Sequence, residues 1–204
     1  MAEVHLTTPI PEEEIRKLKA GDTIYISGTV YLSRDEAHLR ALEMKEKGEE
    51  LPLDFKGLAL FHCGPIVTQD ESGEWHVVAA GPTTSSRMEI FQDKYIEAFR
   101  ISVVIGKGGM YERTTAAMKK YGAVYGAFTG GAAVLAANAV KKVKGVEWLD
   151  LGTPEALWIF EVDDFGPLTV AIDSHGNNLF KDVAEQAEKN KAKSYEIIGV
   201  SPED

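Results

Sequence analysis

Runs of alternating and fully apolar residues, broken by glycine and proline, divide the chain into short strands and helices. Pro11 to Lys19 predicts a short leading helix, with acids in its first turn, bases in its last and Gly21-Asp22 as its stop. Thr23 to Tyr31 (TIYISGTVY) is β-branched and aromatic, and predicts a strand. Ser33-Arg34-Asp35-Glu36 then has capping-box spacing ahead of a helix to about Lys47, so a strand delivers Arg34 to a helix N-terminus. Leu58 to Val67 and Trp75 to Ala80 read as strands around the turn Asp70-Glu71-Ser72-Gly73, which predicts a hairpin.

Beyond Gly81 the rhythm becomes strand, glycine loop, helix. The loop GPTTSSRM (Gly81 to Met88) leads to a helix on which Met88, Phe91, Tyr95 and Phe99 recur near helical spacing. Ile101 to Ile105 predicts a short buried strand, Gly106 to Gly109 a loop and Tyr111 to Tyr121 a helix. Val124 to Phe128 repeats the pattern, followed by Thr129-Gly130-Gly131 and an alanine-rich helix. Ala156 to Val162 and Leu168 to Ile172 predict strands either side of a turn at Asp164 to Pro167; a second turn, Ser174 to Asn177, precedes a polar C-terminal helix. Strands used both in hairpins and in βα units imply mixed sheets partly covered by helices, an α/β or α+β layered arrangement.

Composition narrows the function. With 204 residues, 44% of them apolar, the default is one domain over residues 1–204. The longest uncharged apolar-rich stretch, Ala123 to Val140, is interrupted by Gly126, Thr129, Gly130, Gly131 and Asn138, which argues against a membrane span. The opening MAEVHLTTPIPEEE lacks the basic and apolar regions of a signal peptide, so a soluble, cytoplasmic protein is expected. A formal charge of −10 argues against a nucleic-acid partner. For an anionic substrate it requires cations concentrated in one place, against the global field. The single cysteine, Cys63, excludes an internal disulfide framework and cannot alone hold an iron-sulfur cluster.

Three loops carry candidate chemistry. GPTTSSRM combines hydroxyls, helix N-terminal amides and Arg87, a set that suits a carboxylate or phosphate; an ordinary N-cap at Thr84 or Ser85 fits the loop as well. Gly106-Lys107-Gly108-Gly109 lets backbone approach an anion beside a lysine, or simply makes a turn; it has neither P-loop nor dinucleotide-binding spacing. Arg34 and His38, four apart, share a helix face, where Arg34 is either a carboxylate clamp or a solvated arginine. The other histidines, His5, His62, His76 and His175, lack the spacing of metal ligands, and no metal site is assigned to the chain.

Five blocks in order resemble one family: GDTIYISGTVYLSRDEAH (Gly21 to His38), HCGPIV (His62 to Val67), AAGPTTSSRM (Ala79 to Met88), IGKGG (Ile105 to Gly109) and VEWLDLGTPEALWIFEVDDF (Val146 to Phe165). They are similar to the β subunit, or C-terminal domain, of class I fumarases and L-tartrate dehydratases, over about Gly21 to Asp182. The resemblance implies a swivelling β/β/α three-layer domain with mixed sheets. It also implies a hydro-lyase that interconverts fumarate and malate, or acts on L-tartrate or mesaconate, and that is active only with an α subunit. That partner holds a [4Fe-4S] cluster through three cysteines, and the cluster acts as Lewis acid toward the departing hydroxide. Carried over by position, Arg34 and Arg87 are carboxylate ligands, Thr83 the candidate base and Lys107 a third cation in both binding and catalysis. Some single-chain members carry Asn and Arg after the lysine-glycine pair, where this chain has Gly109 and Met110, so it looks more like the two-subunit branch. A competing reading is a non-catalytic module that binds a small acid; four convergent functional residues count against it.

Overall fold

Short, entirely apolar strands need cover on both faces, and the centre of this fold is built from them. A computed structural model of the chain describes residues 1–199. Strands β1 (Glu3–Thr7), β2 (Thr23–Leu32), β3 (Ala59–Phe61), β6 (Val103–Gly106) and β7 (Val124–Ala127) are parallel in the order β1-β2-β3-β6-β7. Between them lie α1 (Glu12–Ile15), α2 (Asp35–Lys47), the separate hairpin β4 (Ile66–Gln69) and β5 (Trp75–Ala79), α3 (Glu89–Phe99) and α4 (Glu112–Tyr121). After β7 come α5 (Ala133–Ala139), β8 (Val140–Glu147), β9 (Leu157–Ile172) and α6 (Leu179–Ile198). β9 runs antiparallel to β7, β8 and β2 at once, so the sheet closes on itself.

Side-chain alternation divides the core. Ala59 and Phe61, Val103 and Ile105, and Val124 point into the closed interior, with Ile24, Ile26, Phe160 and Leu168. Their neighbours Leu60, Val104 and Tyr125 point the other way, against Met88, Phe91, Tyr95 and Phe99 and the buried faces of α2 and α4. The β9–β8 wall, the parallel strands and the helices thus form the β/β/α layers that the resemblance implied. No helix among the described residues is long and apolar enough to cross a membrane.

Four local expectations need correction. The leading helix ends after one turn, at Ile15, and continues as tight turns that bury both Ile15 and Leu18. The expected strand Leu58 to Val67 is two strands in two sheets, interrupted at His62 to Pro65, where Pro65 has no N–H to give a ladder. The expected turn at Asp164 to Pro167 lies inside the 16-residue strand β9. There Asp164 takes a φ of 48° and the register against β2 shifts, so turn-forming residues make bulges rather than a reversal. Edge strands β1 and β8 complete the sheet where no strand was expected.

Candidate functional site

The C-terminal ends of β2, β3, β6 and β7 lie along one edge of the sheet, and the loops that leave them carry most of the polar chemistry. In parallel α/β sheets this is the edge where ligands bind, because the connections diverge there and helix N-termini face the opening. β2 leads to Arg34, β3 to His62, β6 to Lys107 and β7 to Gly130, while the loop after β5 brings Thr83 and Arg87 to the same edge.

Arg34 is the N-cap residue of α2, and the expected capping box does not form. Ser33 instead turns its hydroxyl inward to His38 Nδ1, 2.8 Å away. The cap is supplied from far along the chain: Glu155 Oε2 accepts the Glu36 N–H at 3.2 Å, and its other oxygen, Oε1, holds Arg34 Nη2 at 3.0 Å. The Arg34 guanidinium lies over Gly64, where a Cβ would come within 2.9 Å of Nη1. Its Nε is buried without a hydrogen-bond partner. Arg87 meets Asp35, the residue after Arg34, through Nη2 at 2.8 Å from Oδ2. Asp35 and Glu155 are thus site-edge residues that the sequence reading did not assign.

Backbone contacts tie the remaining residues together. Thr83 N–H donates to the His62 carbonyl at 2.7 Å, and Ser85 N–H to the Lys107 carbonyl at 2.8 Å. Beneath them lies a fully buried polar chain, with His62 Nδ1 2.9 Å from Ser85 Oγ, Tyr125 Oη 3.0 Å from Ser85 Oγ and His62 Nε2 2.9 Å from Gln92 Oε1. One proton arrangement satisfies all three contacts: Tyr125 donates to Ser85, Ser85 to His62, and His62 Nε2–H to Gln92. Burial pushes His62 well below the usual histidine range, helped by neighbouring His38, and pushes His38 itself down to about 4, so both rings are neutral. Gly106 is the position that admits this chain, because a Cβ there would fall 1.9 Å from Ser85 Oγ. An isolated apolar-flanked histidine such as His62 gave no sequence clue to a partner 23 residues away.

Among the described residues, neither the Lys107 ammonium nor the Thr83 hydroxyl has a hydrogen-bond or ion-pair partner. Both are half-buried. Gly130 faces the Lys107 side chain, its Cβ position 3.7 Å from Nζ. Cations at the edge (Arg34, Arg87, Lys107) outnumber the carboxylates that touch them (Asp35, Glu155), three to two, in a chain whose formal charge is −10. The edge is thus a local cationic spot that can hold carboxylates. The chain's one thiol, Cys63, is fully buried, and burial pushes its pKa far up.

The family model described as Fumarase C-terminus matches residues 1–183. The chain is 43% identical over 192 residues to "Putative L(+)-tartrate dehydratase subunit beta" of Methanocaldococcus jannaschii, covering 94% of this chain and 96% of that one. It is 45% identical over 174 residues to the L(+)-tartrate dehydratase subunit beta of Escherichia coli, covering 85% of each. It is also 42% identical over 184 residues to "Putative fumarate hydratase class I" of Geobacillus stearothermophilus, covering 90% of this chain and 35% of that longer protein.

Proposed function

This chain belongs to the family described as Fumarase C-terminus, and we propose that it is the β component of a cytoplasmic hydro-lyase that hydrates fumarate reversibly to malate together with an α component. The observation that carries the reading is the edge at which Lys107 and Thr83 have no partner among the described residues, beside two arginines held by carboxylates. A C4 dicarboxylate supplies what the edge lacks, two anionic ends to meet cations. Arg34 and Arg87 hold the carboxylates, each with N–H donors left over after its ion pair.

In the dehydration direction a proton leaves the carbon next to a carboxylate, and negative charge builds on that carboxylate as an aci-carboxylate. Lys107 stabilises this charge more strongly than the ground state. Thr83 is the candidate base for the carbon-bound proton. A hydroxyl acts so only if another group accepts its own proton, and no carboxylate of this chain's described residues hydrogen-bonds it. That acceptor therefore comes from the α component, as does the [4Fe-4S] cluster, for which the lone buried Cys63 offers no ligand set.

L-tartrate is the second reading, favoured by the names of the two relatives that this chain matches over most of their length. It differs from malate by one hydroxyl, which pocket walls on the absent component help to read. Co-expression of the chain with a three-cysteine partner, assayed anaerobically on fumarate, L-tartrate and mesaconate side by side, tests the whole proposal. The chain alone should be colourless and inactive, and the assembly coloured and active. Hydration of fumarate by the isolated chain at a normal enzymic rate overturns the two-component reading, and the preferred acid fixes the substrate.

A further inference from the structure

We infer that Asp35 and Glu155 are positioning residues that hold the Arg87 and Arg34 guanidinium groups in line for the two carboxylates, an inference that rests on the proposed roles of those arginines. Arg87 is half-exposed, and an unrestrained arginine of that kind loses side-chain freedom when it closes on an anion. Asp35 holds it through Nη2 alone and leaves Nε and Nη1 to donate. Glu155 likewise holds Arg34 through Nη2 and leaves Nη1 to donate, the Nε being buried. Its second oxygen takes the Glu36 N–H, in place of the side-chain cap that α2 lacks. Because Arg34 and Asp35 are adjacent, the start of α2 joins the loop bearing Arg87 to the loop bearing Glu155. The two arginines therefore sit in one frame.

The opposite reading gives these carboxylates a competing role, as anions that occupy the arginines until substrate displaces them. The two readings differ in sign. In the assembled enzyme with fumarate and L-tartrate as probes, positioning predicts that Asp35→Ala raises KM about threefold to tenfold while kcat stays within about twofold. Asp35→Asn, which keeps an acceptor for Arg87 Nη2, should recover most of the loss. In an Arg87→Ala background Asp35→Ala should change nothing further, since it acts only through Arg87. Glu155→Gln and Glu155→Ala should show the same order, with Arg34→Ala as their background. A second readout needs no turnover: NMR relaxation at the Arg87 Nε–H of the isotope-labelled chain should show a more mobile group in Asp35→Ala than in the parent. A KM at or below the parent's for Asp35→Ala, a full effect in the Arg87→Ala background, or an equally ordered Arg87 in both chains overturns the inference. An inactive parent assembly counts against the hydro-lyase reading instead, and the relaxation comparison still decides whether Asp35 orders Arg87.

Discussion

The two edges of the parallel strands differ in a way that cavity size does not reveal. At the N-terminal edge lies a cavity of about 580 Å³, lined by Pro9, Ile10, Gly57, Arg100, Ser102 and Tyr121 among others. Its Ser102 hydroxyl and several backbone groups are spent on one another, while Lys56 and Arg100 keep side-chain donors. Ser102 Oγ donates to the Ile10 carbonyl at 2.9 Å, Gly57 N–H to the Arg100 carbonyl at 3.0 Å, and the Arg100 guanidinium sits 4.0 Å from the Tyr121 ring centroid. The C-terminal edge holds a lysine and a hydroxyl with no partner among the described residues, two arginines with donors to spare and the buried histidine chain beneath. Volume marks where the elements fail to meet. Three cations gathered with a hydroxyl over a buried polar chain distinguish the C-terminal edge.

The largest expected effect tests that contrast directly. Lys107→Ala in the assembled enzyme should lower kcat/KM by about 10³, in line with losing a charge aimed at a developing oxyanion. Equal activity in Lys107→Ala and the parent would return the C-terminal edge to the status of a surface.

Acid stability offers the next handle, because the two edges differ in buried titratable groups. Burial, partly offset by the Arg34 carbonyl that Nδ1 contacts, holds folded His38 down to about 4 against an ordinary value of 6.5. Between those values the unfolded chain binds a proton that the folded chain refuses, so stability rises with pH across the window and falls as the solution is acidified. The contribution of His38 is on the order of 3 kcal/mol over the window, and His62 adds to it in the same direction. Denaturant melts of His38→Gln across this range should show a flatter dependence on pH than the parent. An unchanged slope would place the responsible proton elsewhere.

Thr83→Val separates base from binder. If Thr83 takes the carbon-bound proton, kcat should fall by about 10² or more with substrate affinity nearly kept. A kcat within about threefold of the parent moves the base to the α component and leaves Thr83 as a hydrogen-bonding contact.

Much of this site was legible in the sequence because its residues stand in loops whose glycines and hydroxyls interrupt apolar runs. Arg34, Arg87 and Lys107 could be singled out from their loops, Thr83 only through the family resemblance, and the periodic face of α3 from its spacing. What could not be read depends on distant pairing. Asp35 and Glu155 take their meaning from partners 52 and 119 or more residues away. β1 and β8 are edge strands with largely exposed residues, so their alternation is weak. Pairing with the ten-residue strand β2 overrides the turn propensity of Asp164 to Pro167, since that pairing satisfies more backbone than a reversal would.

The smallest expected effect belongs to the N-terminal edge, at Arg100. This residue ends α3 in a left-handed conformation, φ 53°, where glycine is the usual choice. A side chain there costs about 1 kcal/mol relative to glycine, and an exposed cation on an aromatic face returns about 0.5–1 kcal/mol. Arg100→Gly should therefore leave stability nearly unchanged. Arg100→Ala keeps the backbone penalty and loses the ring contact, so it should be about 1 kcal/mol less stable than the glycine variant, a difference that denaturant melts resolve. Neither should alter turnover of the assembled enzyme by more than about twofold, because Arg100 lies at the opposite edge of the parallel strands from Arg34, Thr83, Arg87 and Lys107. A tenfold loss of turnover in Arg100→Gly, with stability intact, would break the contrast between the edges and make this cavity a functional site.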